Sequence, residues 1–523
     1  MSHNTILLII IVAYFLLLLG VAYYTSRGSN NESFFVGNRS SKWWLVAFGM
    51  IGTSLSGMTF ISVPGTVGMD GFAYFQVVIG YWIGYFIVAY VLLPVYYKMK
   101  LTSIYTYLEK RLGVNAHKTG AFFFILSRTL GATLRLYLVI KVLELFVLKE
   151  LGISFEVTAI VILGLILLYT FRGGVKTIVW TDTLQTTFML LALIICLFYL
   201  SGQLGMDIGG AWKAVSEQGM TKIFSFDPAP GNYFLKQIFG GMFITIAMTG
   251  LDQEMMQKNI SVSNLKDSQK NMVVMGTLQM IVVFIFLFLG GILTLYATAQ
   301  GAPVVKGDDL FPFIAINSGL PFFITVCFII GLISALFPSA DGALTALTSS
   351  FCIDILGMKT GRQAADSKAD EAGRERKNTR TRLVVHNVFA LIFLLCVFFF
   401  REVDNGSLID ILLKLAGYTY GPLLGLFAFG ILTKRSVLAK APLIVCLLAL
   451  AFTLLLDVVN NYQWYVAKLN MSEATVQSLK TLSGNIFKGY KIGVELLIIN
   501  AAFTFGMLWL VSKKGKKHIP AVD

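Results

Sequence analysis

Long apolar runs recur along the whole chain and limit the folds open to it. The first extends from Ile6 to Tyr24, and similar runs follow to about residue 512. About 20 consecutive apolar residues are what an α-helix needs to cross the hydrocarbon core of a bilayer. Of the 523 residues, 56% are apolar and only 13% are charged, which does not suit a soluble chain of this length. The pattern predicts an all-α polytopic membrane protein rather than a β-barrel.

We predict about thirteen transmembrane helices, and we expect the first to be retained because no small-residue cleavage motif follows it. The predicted spans are residues 6–24, 43–65, 72–97, 118–148, 152–171, 177–201, 233–256, 271–298, 321–356, 384–400, 408–433, 441–458 and 490–512. The five cysteines lie inside apolar runs without pairing or metal-ligand spacing, so packing is their expected role.

Lysine and arginine are distributed unevenly between the loops. If the N-terminus is outside, most of the 42 Lys and Arg residues fall in segments on the cytoplasmic side. The positive-inside rule therefore predicts an external N-terminus and a cytoplasmic C-terminus, in the plasma (inner) membrane. The net charge of +14 then reflects topology, and its spread over separate loops gives no support to nucleic-acid binding.

Two predicted spans contain clusters of helix-breaking glycines. The second span holds Gly49, Gly52 and Gly57, and the seventh holds Gly240, Gly241 and Gly250. These spans lie five apart, so spans 2–6 and 7–11 would be two inverted copies of a five-helix unit. Breaks at matching positions of inverted halves are typical of secondary transporters with a site at the membrane midplane. Alternatively, the glycines only permit close helix packing.

The predicted organisation has five parts. They are the first span and its loop (1–42), repeat 1 with spans 2–6 (43–201), an external loop (202–232), repeat 2 with spans 7–11 (233–433), and spans 12–13 with the cytoplasmic tail (434–523).

Five ordered segments carry a family resemblance. They are RGGVKTIVWTDTLQ (172–185), TSLSGMTFISVPG (53–65), TGLDQEMMQKNIS (249–261), ADGALTALTSSFCIDIL (340–356) and GYTYGPLLGLF (417–427). Together they resemble the sodium:solute symporter family, which includes sodium-coupled carriers of sugars, proline, sialic acid, iodide and monocarboxylates. The resemblance implies a leucine-transporter-like core of ten helices in a 5+5 inverted repeat, alternating access, sodium as the coupling ion and no other cofactor or metal.

The resemblance also implies a sodium site between the broken second span and the ninth span. Transferred by motif, its residues are Gly52, Leu55, Ala335, Pro338 and Ser339. Pro338 departs from the family pattern, because proline lacks the hydroxyl expected there. Its missing N–H frees a backbone carbonyl that can itself face a cation. Pro338 therefore reshapes the site, dismantles it, or only kinks the helix.

A second cation or proton position is expected around Asp182, Asp341 and Thr345. Asp182 resembles the acid that some family members use for a second sodium with hydroxyls of the ninth span. Those hydroxyls would fall at 338, 341 and 342, where this chain has Pro, Asp and Gly. Two carboxylates could hold a cation between them or carry a proton, so a proton-coupled carrier is the alternative to sodium symport. Asp341 could equally be a hydrogen-bonded packing residue.

The solute is expected beside the two helix breaks. The candidate lining residues are Ser56, Thr59, Gln76, Arg135, Thr249 and Tyr418. Arg135 lies deep in the fourth span, where a charge is usually functional or paired. A guanidinium binds a carboxylate through two parallel hydrogen bonds, so we expect Arg135 to bind an organic acid or, alternatively, to pair with an acid of the bundle.

Other classes of function fit less well. No nucleotide-binding loop or HExxH motif is present, and the four histidines lie outside the predicted central site. An enzyme is therefore not expected. A channel would need a continuous polar stripe, and a sensor would need an appended signalling domain. The expected partners are a small solute, sodium and the lipid bilayer.

Overall fold

The computed structural model describes residues 3–27, 31–301, 307–358, 368–403, 408–469 and 471–514. These residues are mostly helical. The α-helices are α1 His3–Thr25, α2 Asn31–Val36, α3 Trp43–Asp70, α4 Phe75–Ile87, α5 Leu93–Lys98, α6 Thr106–Leu112, α7 Val114–Leu143, α8 Phe155–Gln203, α9 Ile208–Glu217, α10 Phe234–Thr245, α11 Gln253–Ile260, α12 Leu265–Ala299, α13 Leu310–Asn317, α14 Phe322–Ser350, α15 Lys368–Val403, α16 Leu408–Leu432, α17 Ala441–Asn460, α18 Tyr462–Leu469, α19 Glu473–Phe487 and α20 Leu496–Val511.

Short irregular helical turns and one small sheet complete the described structure. The π-helical turns are Val88–Leu92, Glu144–Leu148, Ile246–Gly250 and Phe351–Ile355, and the 3₁₀ turns are Gly37–Arg39, Lys149–Leu151 and Gly307–Asp309. Strands β1 (Arg435–Val437) and β2 (Ser512–Lys514) pair antiparallel, with Arg435 opposite Lys514. The sheet joins the ends of α16 and α20, which also pack against each other.

The helical membrane class predicted from the sequence is confirmed, but the count of thirteen spans is not. Among the described residues, ten helices are long and apolar enough to cross a membrane. A bent pair, Phe234–Gly250 with Gln253–Ile260, would make an eleventh crossing with an angle of 64° between its halves. The predicted spans at 152–171 and 490–512 correspond to shorter apolar helices, Phe155–Thr170 and Leu496–Val511.

Helix α14 lies at the centre of the bundle. Every residue from Gly331 to Ser350 is buried, and the helix packs against α3, α7 and α8. A helix that is enclosed on all sides must satisfy its polar groups within the protein. The hydroxyls and the carboxyl of α14 therefore face neighbouring helices rather than lipid.

Helix α3 is interrupted at Ser56. This residue has φ 58° and ψ 168°, whereas helical backbone continues on both sides. A non-glycine residue with positive φ costs free energy and is concentrated at functional sites. The interruption lies in the glycine-rich segment that the sequence marked as broken, and it leaves backbone groups near Ser56 without their usual helical partners.

The second interruption separates α10 from α11. The π-helical turn Ile246–Gly250 ends α10, and the Asp252 side chain then caps α11 by accepting from the backbone N–H of Glu254 (2.9 Å) and Met255 (3.3 Å). A capping carboxylate supplies the acceptor that the first turn of a helix lacks. This cap restarts the helix in a new direction and points the first turn of α11 into the bundle.

Candidate functional site

A cavity lies beside both helix breaks. Its wall is formed by the interrupted part of α3, by α4, α7 and α12, by α10 with its π-helical turn, and by α16. Four of the predicted solute-binding residues line it: Ser56, Thr59, Arg135 and Thr249. The structure thus brings together polar groups that are up to about 190 positions apart in the chain.

Three tyrosines, two in α4 and one at its N-cap, form a polar wall of this cavity that the sequence analysis did not predict. Tyr74, Tyr81 and Tyr85 all line it. The Tyr85 hydroxyl donates to Gln279 Oε1 (2.5 Å), and Ser54 Oγ donates to the same oxygen (2.9 Å). Tyr residues combine an apolar ring with a hydroxyl, so this wall can contact both apolar and polar parts of a solute.

Arg135 supplies a buried positive charge to the cavity. Its side chain is buried, with 7% of the residue exposed. Its Nε has no hydrogen-bond partner, and no ion pair to Arg135 occurs within the described part of the chain. A buried guanidinium without a protein anion is costly, because desolvation is not offset. An anion bound in this cavity would offset that cost.

Gln76 and Tyr418 lie away from the cavity. Gln76 Nε2 donates to the carbonyls of Ala73 and Asn232, at 3.1 and 3.2 Å. The Tyr418 hydroxyl donates to Asp457 Oδ2 on α17. Both side chains are used to join segments of the fold, so the structure does not group them with the other predicted solute-binding residues.

The residues predicted to hold the first sodium ion converge where α3 meets α14. A Cβ placed on Gly52 would lie 3.4 Å from Pro338 Cγ, so the two helices are in direct contact there. Leu55, Ala335 and Ser339 are also buried, and Ser339 Oγ donates to the carbonyl of Leu336 (2.8 Å). The Ser339 oxygen keeps lone pairs for an ion, whereas Pro338 offers none from its side chain.

Thr186 on α8 reaches the same place. Its Oγ1 would lie 2.4 Å from a Cβ on Gly52, and it is buried without a hydrogen-bond partner. Asp182 Oδ1, one turn earlier on α8, is likewise buried and unpartnered. Buried polar atoms are normally hydrogen-bonded, so two unpartnered oxygens on one helix face indicate a position for a cation or a water.

Asp182 is paired with a lysine. Asp182 Oδ2 accepts a hydrogen bond from Lys258 Nζ (2.7 Å) and another from Thr53 Oγ1 (3.1 Å). Lys258 Nζ also donates to Thr53 Oγ1 (2.7 Å) and to Glu254 Oε1 (3.4 Å). The side chains of Lys258, Asp182 and Glu254 are at most 3% exposed. The Lys258 ammonium thus donates hydrogen bonds to two buried carboxylates, those of Asp182 and Glu254.

Asp341 lies next to this cluster but has a different set of partners. Its Oδ2 accepts from the Tyr169 hydroxyl (2.8 Å), and its Oδ1 accepts from the N–H of Gly342. Among the described residues no cation lies within ion-pair distance of Asp341. Thr345 is buried one turn further along α14, and its Oγ1 has no hydrogen-bond partner.

Arg128 connects the cluster of buried charges around Lys258 to α7 and α16. It forms an ion pair with Glu254, and its Nη1 lies 3.8 Å from Asp252 Oδ2. Tyr420 of α16 donates to the same Asp252 oxygen (2.8 Å). These contacts join α7, α11 and α16 through hydrogen bonds that involve charged groups, which are stronger than neutral ones.

The sequence analysis did not single out two basic residues of this cluster. Lys258 and Arg128 are both buried and ion-paired. The available signal was the spacing of Glu254 and Lys258, which are four residues apart directly after the helix break. Such a pair stabilises one face of a helix. Read from the sequence alone, it is typical of a solvated helix.

The comparisons with known proteins agree with this architecture. The family model of the sodium:solute symporter family matches residues 34–441. The chain belongs to the sodium:solute symporter family. Members of this family are sodium-coupled transporters and not enzymes, and the helices identify this member as an integral membrane protein.

Individual relatives match different shares of the chain. The sodium-dependent multivitamin transporter of Oryctolagus cuniculus is 29% identical over 219 residues, which are 41% of this chain and 34% of the rabbit protein. The sodium/sialic acid symporter NanT of Aliivibrio fischeri is 23% identical over 413 residues, covering 75% of this chain and 76% of NanT. The match therefore spans about a third of the first relative and about three quarters of the second.

A solved structure shares the fold over nearly the whole chain. It is a sodium-coupled sialic acid symporter in its substrate-bound, outward-open state. The TM-score is 0.77 at 18% identity, with 98% of this chain and 99% of the other covered. At this identity the likeness shows the fold, and it confirms the predicted leucine-transporter-like inverted-repeat core. The repeat boundaries and the ion and solute residues remain predictions.

Proposed function

We propose that this protein imports a small organic acid together with sodium by alternating access. The observation that carries the proposal is Arg135, a buried guanidinium that lines the cavity and has no anionic partner within the described structure. A bound carboxylate would provide the missing charge and two acceptors. Relatives named for sialic acid, which is an organic acid, support this choice of solute class.

The other cavity residues suit a solute with both polar and apolar parts. The hydroxyls of Ser56, Thr59 and Thr249 lie around the helix breaks, while Met248 and Val283 provide apolar contact. Ligand sites are commonly lined by apolar groups with a few converging polar groups. We expect the carboxylate at Arg135 and the remainder of the solute between α3 and the tyrosines of α4.

Sodium binding is proposed where α3 and α14 meet. The expected ligands are the carbonyls of Gly52, Leu55 and Ala335 and the hydroxyl of Ser339. Thr186 Oγ1, which is buried and unpartnered beside Gly52, supplies the hydroxyl that Pro338 lacks. These are hard oxygen donors of the kind that alkali and alkaline-earth cations prefer.

Coupling follows if sodium and the solute stabilise the same arrangement of helices. Leu55 belongs to the predicted sodium site and, with Ser56, lines the solute cavity. An ion that holds the α3 break in place therefore also positions a wall of the solute site. By linkage, sodium and the solute then raise each other's affinity by the same factor. We further propose a plasma (inner) membrane location with the N-terminus outside, as the charge distribution indicates.

The test is uptake by purified protein in liposomes, with labelled organic acids and an inward sodium gradient. We expect uptake that requires sodium and is lost in equimolar potassium. In Arg135→Lys the second of two parallel hydrogen bonds to the carboxylate is lost. A hydrogen bond to a charged group contributes about 1.5–3 kcal/mol, so we expect a roughly 10- to 150-fold weaker apparent affinity.

The matched control is Arg401→Lys, since Arg401 lies outside the cavity and pairs with Glu156 at the surface. That variant should transport like the parent. Unchanged affinity for an identified acid in Arg135→Lys would overturn the carboxylate role of Arg135. Equal uptake in sodium and potassium would overturn sodium symport.

Proton coupling is the second candidate, and Asp341 is the observation that favours it. This buried carboxyl has no ion-pair partner within the described residues. The next residue, Gly342, lies against the Glu254–Lys258 pair. A proton could compensate its charge during transport. Uptake driven by a proton gradient in the absence of sodium, and abolished in Asp341→Asn, would favour this candidate over sodium symport.

A further inference from the structure

Lys258 is an unusual group to find in the interior of a helical bundle, because lysines are rarely fully buried. Its side chain is 3% exposed and its ammonium donates to Asp182, Thr53 and Glu254 at 2.7, 2.7 and 3.4 Å. Three acceptors satisfy all three N–H groups of an ammonium. The lysine therefore fills its position completely and needs no water or additional ligand.

The ammonium lies where the sequence led us to expect a second cation. Asp182 was predicted to bind that cation together with groups of α14. In the structure, both polar contacts of Asp182 Oδ2 are to protein groups, Lys258 Nζ and Thr53 Oγ1. A sodium ion at this oxygen would have to displace the Lys258 ammonium or lie beside it. Two positive charges repel each other strongly in the protein interior, where water does not screen them.

Gly342 gives independent steric evidence. A Cβ at this position would lie 2.2 Å from Glu254 Oε1 and 3.1 Å from Lys258 Nζ. Any side chain at 342, including a hydroxyl that could bind an ion, would therefore collide with the ion pair. The glycine at position 342 of α14 therefore leaves the space that the Glu254–Lys258 pair of α11 occupies.

We propose that the Lys258 ammonium permanently takes the place of a second cation at Asp182, so that this protein binds one sodium ion and not two. The inference rests on the proposed sodium symport for the identity of the remaining ion. Thr186 Oγ1 stays available to that single sodium ion on the side of α8 that faces Gly52. The lysine neutralises Asp182 in every state of the cycle without crossing the membrane.

Equilibrium binding of radioactive ²²Na⁺ to the purified protein tests the stoichiometry directly. We expect the parent to bind one sodium ion per molecule. In Lys258→Met the ammonium is removed while Asp182 and Glu254 keep their charges, so a second sodium ion should bind. The variant should melt at lower temperature than the parent in potassium and recover part of that loss in sodium.

The matched control is Lys236→Met. Lys236 is also a buried lysine, but it donates to backbone carbonyls such as those of Pro230 (3.1 Å) and Lys491 (3.2 Å). It lies outside the ion cluster. Its removal should lower stability without changing the number of sodium ions bound.

The outcomes separate this inference from the proposed function. Two sodium ions bound by the parent, or one bound by both the parent and folded Lys258→Met, would overturn the role of Lys258 and leave sodium symport standing. No sodium bound by either protein would overturn both proposals. No sodium bound by the parent but one bound by Lys258→Met would overturn sodium symport and support the role of Lys258. If the variant does not fold, the stoichiometry of the parent decides.

Discussion

Pro338 shows how one residue changes the chemistry of a helix contact. It lies inside α14, against Gly52 of α3, and contributes neither a hydroxyl nor an N–H. The carbonyl of Ser334, one turn earlier, therefore lacks its usual helical donor. The Ser334 hydroxyl is held by Tyr14 at 2.7 Å. The oxygen that a hydroxyl at 338 would have offered can come instead from Thr186, which reaches the same position from α8.

Replacing Pro338 with serine should strengthen sodium binding. Pro338→Ser adds a hydroxyl beside Gly52 and restores a helical N–H. The half-saturating sodium concentration for thermal stabilisation should fall by about 2- to 10-fold, equivalent to about 0.5–1.5 kcal/mol for one polar contact. Pro422→Ser is the control, because it removes another proline from inside a helix, α16, away from this contact. An unchanged or weaker response to sodium in Pro338→Ser would contradict the proposed location of the ion.

Arg135 and Lys258 illustrate what can be predicted for single residues. Arg135 was identified because a charge in the middle of an apolar run is costly and calls for a partner. Lys258 was missed because it follows a helix break, where the sequence becomes polar and resembles a loop. The chain turns back into the bundle at the bend that precedes the Asp252 cap of α11, and hydropathy does not report the direction of that bend.

At the scale of elements, the breaks in α3, α8 and the α10–α11 pair position the site. Helix α8 covers two predicted spans and bends at Gly174, which has φ 50° and ψ −143°. The Cα of Phe34 would lie 2.5 Å from a Cβ on Gly174, so α2 packs directly against the bend. Glycine is needed there both for the backbone conformation and for the close approach. The bend sets the direction of the segment that carries Asp182 and Thr186.

Alanine at this bend should destabilise the protein. Gly174→Ala forces a side chain into left-handed backbone and against Phe34, and should cost about 1–3 kcal/mol. Gly164→Ala, in the same helix, is the control, since no atom lies within 4 Å of its added Cβ. It should be neutral or stabilising by up to about 1 kcal/mol, because alanine is the better helix former. Thermal unfolding in detergent measures both, and equal melting temperatures would show that the bend does not depend on Gly174.

At the scale of the whole molecule, the inverted-repeat core contains charged side chains from several helices that are bonded to one another. One buried network connects α16, α7, α11 and α8 through contacts among Tyr420, Asp252, Arg128, Glu254, Lys258 and Asp182. Buried polar networks favour one arrangement of the surrounding helices, because partial breakage leaves charges unpaired. Movement between the two access states must therefore keep these pairs or exchange them together.

The orientation of the molecule can be tested with single cysteines. Ser263 and Ser472 are both exposed, and the charge distribution places Ser263 in the cytoplasm and Ser472 outside. In intact cells, a membrane-impermeant thiol reagent should label Ser472→Cys and not Ser263→Cys. The five native cysteines are buried or half-buried, so the parent should give a low background. Labelling of Ser263→Cys alone would reverse the predicted orientation.

The sequence by itself determined the membrane class, the family and the approximate positions of the crossings and breaks. These depend on local properties: apolar length, clustered glycines and short motifs. Only the tertiary structure decided that Arg135 has no acid partner among the described residues, that Tyr418 and Gln76 serve packing contacts, and that Lys258 bonds Asp182. The physical reason is that ion pairing depends on distances of a few ångströms between helices far apart in the chain. Those distances are set by the directions of helix bends, which no local pattern records.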